Sequence, residues 1–147
     1  AACGAGNHCL SGFCPADELV CCDSDCSGIC QSCLAANTSQ PDGICDSITA
    51  YTDPHDDCPE GECNGLGACI WSNGHSCTSG TECVSGICID DRCCDTVCDG
   101  TCEACDLAGL EGTCSLIVNG TDPDEECAFG SCDGAGACKL DNGCDGA

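Results

Sequence analysis

The sequence predicts a small disulfide-rich fold: a tandem repeat of 12-cysteine units made of turns and short β-ribbons around a minimal hydrophobic core. Three observations predict it. Cysteine fills 25 of the 147 positions, far beyond the share that marks a disulfide scaffold. Once alanine and cysteine are set aside, only 23 large apolar side chains remain, fewer than a domain held by burial requires. The intervals between cysteines run through one series and then run through it again.

The repeat comes first, because a fixed period decides the architecture. In the first unit, Cys3, Cys9, Cys14, Cys21, Cys22, Cys26, Cys30, Cys33, Cys45, Cys58, Cys63 and Cys69 lead to Cys77 through gaps of 5, 4, 6, 0, 3, 3, 2, 11, 12, 4, 5 and 7 residues. In the second, Cys77, Cys83, Cys88, Cys93, Cys94, Cys98, Cys102, Cys105, Cys114, Cys127, Cys132 and Cys138 lead to Cys144 through gaps of 5, 4, 4, 0, 3, 3, 2, 8, 12, 4, 5 and 5. Nine of the twelve gaps agree. Other residues agree with them: Ser11-Gly12 with Ser85-Gly86, Gly28 with Gly100, and Thr52-Asp53-Pro54 with Thr121-Asp122-Pro123. The expected organisation is a first unit over 1–76, a second over 77–143, and 144–147 as the start of a third unit or a junction. A subdivision of the first unit is expected near Cys33 to Cys45, its longest stretch of Ser, Asn and Pro.

All 25 cysteines are disulfide candidates, with connectivity left open. Their odd number leaves one thiol over, at Cys3 or Cys144, and these two are the candidate subunit junction. A head-to-tail bond between Cys3 and Cys144 of neighbouring molecules would still leave an odd count.

Local structure is expected to be turns, marked by Asn64-Gly65, Asn73-Gly74, Asp99-Gly100, Asp133-Gly134 and Asn142-Gly143, where Gly supplies positive φ and Asn or Asp bonds back to the backbone. Short ribbons are expected from Gly28-Ile29-Cys30, Ser47-Ile48-Thr49 and Ser115 to Val118. Pro15 to Val20 is the best helical segment, one turn long. Trp71 is expected at the junction between units or against a neighbouring subunit.

The charge excludes some partners. With 2 basic and 26 acidic residues the formal charge is -24, which repels nucleic acid. No 18-residue apolar stretch exists, so no membrane span is expected. So many cysteines call for an oxidising compartment, and an opening without Met or leader fits a mature exported chain. The expected location is extracellular or at the cell surface.

Two kinds of metal chemistry bear on the sequence. Cys30 with Cys33, and Cys102 with Cys105, have the C-x-x-C spacing of zinc sites; adjacent Cys21-Cys22 and Cys93-Cys94, and the absence of C-x-C, favour disulfides. A thiolate metal-binding protein stays as an alternative. The acids cluster at one place in both units, Asp53, Asp56 and Asp57 in the first and Asp122, Asp124, Glu125 and Glu126 in the second. Such oxygen ligands suit Ca²⁺, although no EF-hand loop is present; the competing reading is a solvated acidic surface. No cofactor is required, with Ca²⁺ the candidate. Asn37 and Asn119 head N-x-[ST] sequons and are candidate glycosylation acceptors.

Catalysis is not expected. His8, His55 and His75 do not recur between units, and the recurring serines sit in Ser-Gly turns with no histidine to activate them.

Taken together, CLSGFC (Cys9 to Cys14), Cys21-Cys22, Cys26 to Cys33, Asp53-Pro54 and CNGLGAC (Cys63 to Cys69) form one order. It returns as CVSGIC (Cys83 to Cys88), Cys93-Cys94, Cys98 to Cys105, Asp122-Pro123 and CDGAGAC (Cys132 to Cys138). This order resembles cysteine-rich tandem repeats of secreted and cell-surface proteins of myxobacteria and related bacteria. The resemblance covers nearly the whole chain and implies an exported bacterial structural role with no enzymatic activity. The expected function is an extracellular structural protein, a subunit or segment of a disulfide-stabilised filament, stalk or surface appendage. It would self-associate head to tail and be anchored to the cell surface through another protein. The alternative is a secreted acidic module binding calcium or a cationic surface.

Overall fold

In a computed structural model, which describes Cys3 and residues 9–140, the chain forms two compact units, Ala1–Trp71 and Ser72–Ala147. The second therefore begins ahead of Cys77. The cause is local pairing: Ser76 bridges Arg92, and backbone bonds join Gly74 to Cys93 and Cys93 to His75.

Six disulfides close each unit, and they follow one scheme. The first unit has Cys3–Cys14, Cys9–Cys21, Cys22–Cys33, Cys26–Cys45, Cys30–Cys63 and Cys58–Cys69. The second has Cys77–Cys88, Cys83–Cys93, Cys94–Cys105, Cys98–Cys114, Cys102–Cys132 and Cys127–Cys138. Counted from 1 to 12 within a unit, both join 1 to 3, 2 to 4, 5 to 8, 6 to 9, 7 to 11 and 10 to 12. The candidate junction at Cys3 is thus corrected: its sulfur is consumed by Cys14. The one cysteine outside the twelve disulfides is Cys144, which lies outside the described residues.

The expected subdivision near Cys33 to Cys45 is corrected too. Cys22–Cys33, Cys26–Cys45 and Cys30–Cys63 interleave across that stretch and tie it to both flanks. The division falls between the twin cysteines. Cys21 closes a group that starts at Cys3, Cys22 opens a group that runs to Cys69, and the peptide bond between them is their covalent link. Cys93 and Cys94 divide the second unit in the same way.

Among the described residues, secondary structure is two-stranded antiparallel ribbons, isolated bridges such as Phe13 with Cys22, and one 3-10 turn, Gly80–Glu82. In the first unit β1 (Gln31–Ser32) pairs with β2 (Asp46–Ser47), and β3 (Gly61–Cys63) with β4 (Cys69–Trp71). In the second, β5 (Cys88–Ile89) pairs with β6 (Arg92–Cys93), β7 (Glu103–Ala104) with β8 (Ser115–Leu116), and β9 (Gly130–Cys132) with β10 (Cys138–Leu140). The ribbon expected at Gly28 to Cys30 lies one step later, at β1. Cys30 itself takes positive φ (55°) and makes the turn into that strand. Trp71 closes β4 opposite Gly61, where a Cβ on the glycine would stand 2.1 Å from the Ile70 carbonyl oxygen. Gly130 repeats the requirement against Lys139.

Gap length explains where the units differ. Four residues between Cys88 and Cys93 make a tight hairpin with Asp90 and Asp91 at φ 52° and 57°, the geometry that suits the twist of a two-residue turn. Six residues between Cys14 and Cys21 instead make one turn, closed by the Leu19 N–H on the Pro15 carbonyl at 3.2 Å. Leu19 at φ 54° stops it there.

The core is mostly sulfur. Among the described residues, the buried apolar side chains other than cysteine are Val20, Ile48, Ile70, Ala104 and Ile117. Ile48 packs on Cys30, Cys58 and Cys63, and Ile117 on Cys102, Cys127 and Cys132. Each stands three residues after its unit's ninth cysteine and donates its N–H at 2.8 Å, Ile48 to the Cys30 carbonyl and Ile117 to that of Cys102.

Candidate functional site

A chain of turns and two-residue strands leaves many backbone N–H groups without a ladder partner, and such groups must be satisfied when buried. Here carboxylates satisfy them. Asp53 accepts from the N–H groups of Asp57 and Cys58 at 2.9 and 2.8 Å; Asp122 accepts from Glu126 and Cys127 at 3.0 and 2.9 Å. Asp57 accepts from Cys30 at 2.8 Å, and Glu126 from Cys102 at 2.6 Å. Asp23 accepts from Cys45, and Asp95 from Cys114. Glu18 accepts from Cys33, and Asp90 from Cys105. The seventh to tenth cysteines of both units are therefore seated on acids at matching positions.

These bonds act on the acids in return. The Cys45 N–H, with help from the Ser24 hydroxyl, holds the Asp23 carboxyl below the usual carboxylate range. The N–H groups of Ala135 and Ala137 do the same to Asp133, as Thr78 does to Glu82 through its N–H and hydroxyl.

The seven candidate calcium ligands divide accordingly. Asp53, Asp57, Asp122 and Glu126 are bonded to backbone N–H groups within their own unit. Asp56 and Glu125 occupy matching positions at φ 55° and 56°, at the bend between an acid and the cysteine it holds. Asp124 is exposed. Its carboxyl is pushed above the usual range by partial burial and by Asp90, Asp106, Glu126 and Asp122.

Counterparts of Asp124 and Asp90 in the first unit are His55 and Glu18, and here the two units part. The Glu18 side chain is 2% exposed, and its Oε1 lies 3.2 Å from His55 Nε2. Ser32, fully buried, donates its hydroxyl to the same oxygen. The Asp17 carboxylate is 4.0 Å from His55 Nε2, and the Asn37 amide nitrogen is 3.3 Å from it. The ring stands beside an open cleft of about 540 Å³ lined by Phe13, Asp17, Asp25, Gln31 and Asp57. Serine, carboxylate and histidine do meet here, but the hydroxyl faces the acid and not the ring. The arrangement positions the chain and does not activate a nucleophile.

Sequence reading missed this cluster because His55 and Ser32 have no like residue in the second unit, where Asp124 and Ala104 stand. One signal was present: the first unit contains no Lys or Arg at all, so a buried acid there had only histidine to meet.

The two sequons also differ. The Asn37 amide donates to the Ser32 hydroxyl at 3.1 Å, and Thr38 is buried, so a glycan on Asn37 would displace bonds of the fold. Asn119 is exposed and accepts from the Lys139 ammonium through its side-chain oxygen.

Cysteine sulfurs gather in groups of metal-site dimensions, such as Cys30, Cys58 and Cys63, and Cys102, Cys127 and Cys132. Both groups arise where two disulfides pack, with Cys30 and Cys58 sulfurs 3.4 Å apart and Cys102 and Cys127 sulfurs 3.5 Å apart. Paired sulfurs offer no thiolate to a metal. Twelve disulfides point to an oxidising environment, and no helix among the described residues is long and apolar enough to cross a membrane.

No protein-family model, curated protein or solved structure matches the chain.

Proposed function

We propose that the chain is an extracellular structural protein, a subunit or segment of a disulfide-stabilised filament, stalk or surface appendage. One observation carries the reading: the same six-disulfide scheme, with the same cysteines seated on acids, is built twice in one chain. Duplicating a scaffold while letting His55, Ser32 and the histidines at large diverge fits selection for the scaffold itself. Repeats of this kind add stability unit by unit, and crosslinks replace the core. A disulfide closing a loop of about 15 residues contributes roughly 3 kcal/mol in the chain-entropy model. The resemblance to secreted repeats of myxobacteria and related bacteria supports the same reading.

With Cys3 bonded to Cys14 and the other cysteines up to Cys138 also paired within the chain, head-to-tail growth is non-covalent, and a disulfide through Cys144 would join two copies tail to tail. Anchoring to the cell surface would fall to another protein.

The test is negative-stain microscopy of the purified, oxidised protein, with size measured over a range of concentrations. The reading expects filaments or concentration-dependent oligomers with Cys144 free or in an intermolecular bond. Monomers at every concentration, with a saturable transition on adding Ca²⁺, would replace it with a secreted binding module.

A further inference from the structure

We propose that His55 is a proton-operated lock on the joint between the two disulfide groups of the first unit. The inference goes beyond the structural role and does not depend on polymerisation.

The joint is defined by the crosslinks. Cys3–Cys14 and Cys9–Cys21 close one group, and the four disulfides from Cys22 to Cys69 close the other. Beside the Cys21–Cys22 peptide bond, the groups are held by the Cys22 N–H on the Phe13 carbonyl and the Ser11 hydroxyl on the Cys22 carbonyl. Those ties sit at the pivot. Glu18 reaches across from the first group to the second, where it meets Ser32, Cys33 and His55. Away from the pivot Val20 also packs on Cys33 and Leu34, and Asp17 stands 4.0 Å from His55, but Glu18 is the buried charged tie, so its state bears on how firmly the groups are held.

The charge of that tie depends on one proton. Glu18 is buried, and a buried carboxylate without a counter-charge is costly. The first unit has no Lys or Arg, and His55 is the described side chain there that can carry positive charge. Around the ring stand Glu18 at 3.2 Å, Asp17 at 4.0 Å and the Asn37 amide at 3.3 Å. Asp56, Asp25 and Asp57 line the clefts beside it.

Protonated, the imidazole carries hydrogen on both nitrogens, and Nε2–H donates to Glu18. Deprotonated, the ring keeps one hydrogen: on Nδ1 it turns a lone pair toward the carboxylate and is matched to the Asn37 N–H, and on Nε2 it still donates to Glu18. In either form the buried carboxylate has lost its counter-charge, and that is the second state. The second unit has Asp124 in the place of His55 and lacks the lock.

The test is residue-resolved NMR and amide exchange on the full oxidised chain between about pH 5 and about pH 8, where imidazoles ordinarily change charge. The Cys33 N–H, bonded to Glu18, reports the lock; the Cys105 N–H, bonded to Asp90, is the internal control. After correction for intrinsic exchange, protection at Cys33 should fall roughly tenfold with rising pH, with the midpoint of the His55 ring titration. Cys105 should not follow it, and H55Q should make Cys33 insensitive to pH. An unchanged Cys33 in the native chain, or the same fall in H55Q, would overturn the proposal. Should H55Q not fold, the native chain decides alone: separate midpoints for His55 and Cys33 overturn it.

Discussion

Asp53 holds the backbone N–H of Cys58 at 2.8 Å, and sixty-nine residues later Asp122 holds that of Cys127 at 2.9 Å. In each unit the same carboxylate also takes a second N–H, one residue earlier. Hydrogen bonds to a charged group contribute about 2 kcal/mol each. Asp53→Ala and Asp122→Ala should each lower stability of the oxidised protein by about 2 to 4 kcal/mol, by similar amounts, with Asn variants losing less. Denaturant unfolding without reductant checks this. Alanine variants as stable as the native chain would mean that the acids are surface charge and nothing more.

Ile48 and Ile117 make a second matched pair, each fully buried against its unit's sulfurs. Replacing either with Ala should cost about 3 kcal/mol, within the range for buried large-to-small changes. Calorimetry on the two single variants should give comparable losses.

How much of this the sequence shows depends on what recurs. The repeat was legible because one crosslinking scheme built twice keeps the cysteine spacings nearly equal in both copies. Connectivity was not legible, since intervals do not say which sulfurs meet. The acids near Asp53 and Asp122 were visible as a cluster. Their task was not: a sequence cannot show that Cys58 and Cys127 lack other partners for their N–H groups. Glu18 and His55 were hidden for another reason, namely that they come from separate loops and one of them has no like residue in the second unit.

Acid should act on the protein in two opposed ways. Asp23, Asp133 and Glu82 are held below their ordinary values. Their contribution is present above the unfolded-state pKa and is lost as pH falls through the lower folded value. Asp124 is held above its ordinary 3.8, so the stability linked to it is present at low pH and is lost as pH rises through the raised folded value. Asp124→Asn should therefore melt higher than the native chain at about pH 7 and lose that advantage near about pH 3. Thermal melts across this interval check the sign.

Calcium should behave as a screening ion. Asp53, Asp57, Asp122 and Glu126 already accept backbone N–H groups, and high net charge is relieved by any counterion. Chelation should leave the melting temperature unchanged, and added Ca²⁺ should match Mg²⁺ at equal concentration. Calorimetric titration with a saturable, Ca²⁺-selective heat would contradict this.

The most direct measurement is disulfide mapping of the oxidised protein by partial reduction, stepwise alkylation and fragmentation mass spectrometry, which separates the adjacent cysteines that proteases cannot. Two copies of one scaffold predict Cys30–Cys63 with Cys102–Cys132, Cys22–Cys33 with Cys94–Cys105, and Cys3 bonded to Cys14. Different connectivities in the two units, or Cys21 and Cys22 bonded within the same group, would contradict it.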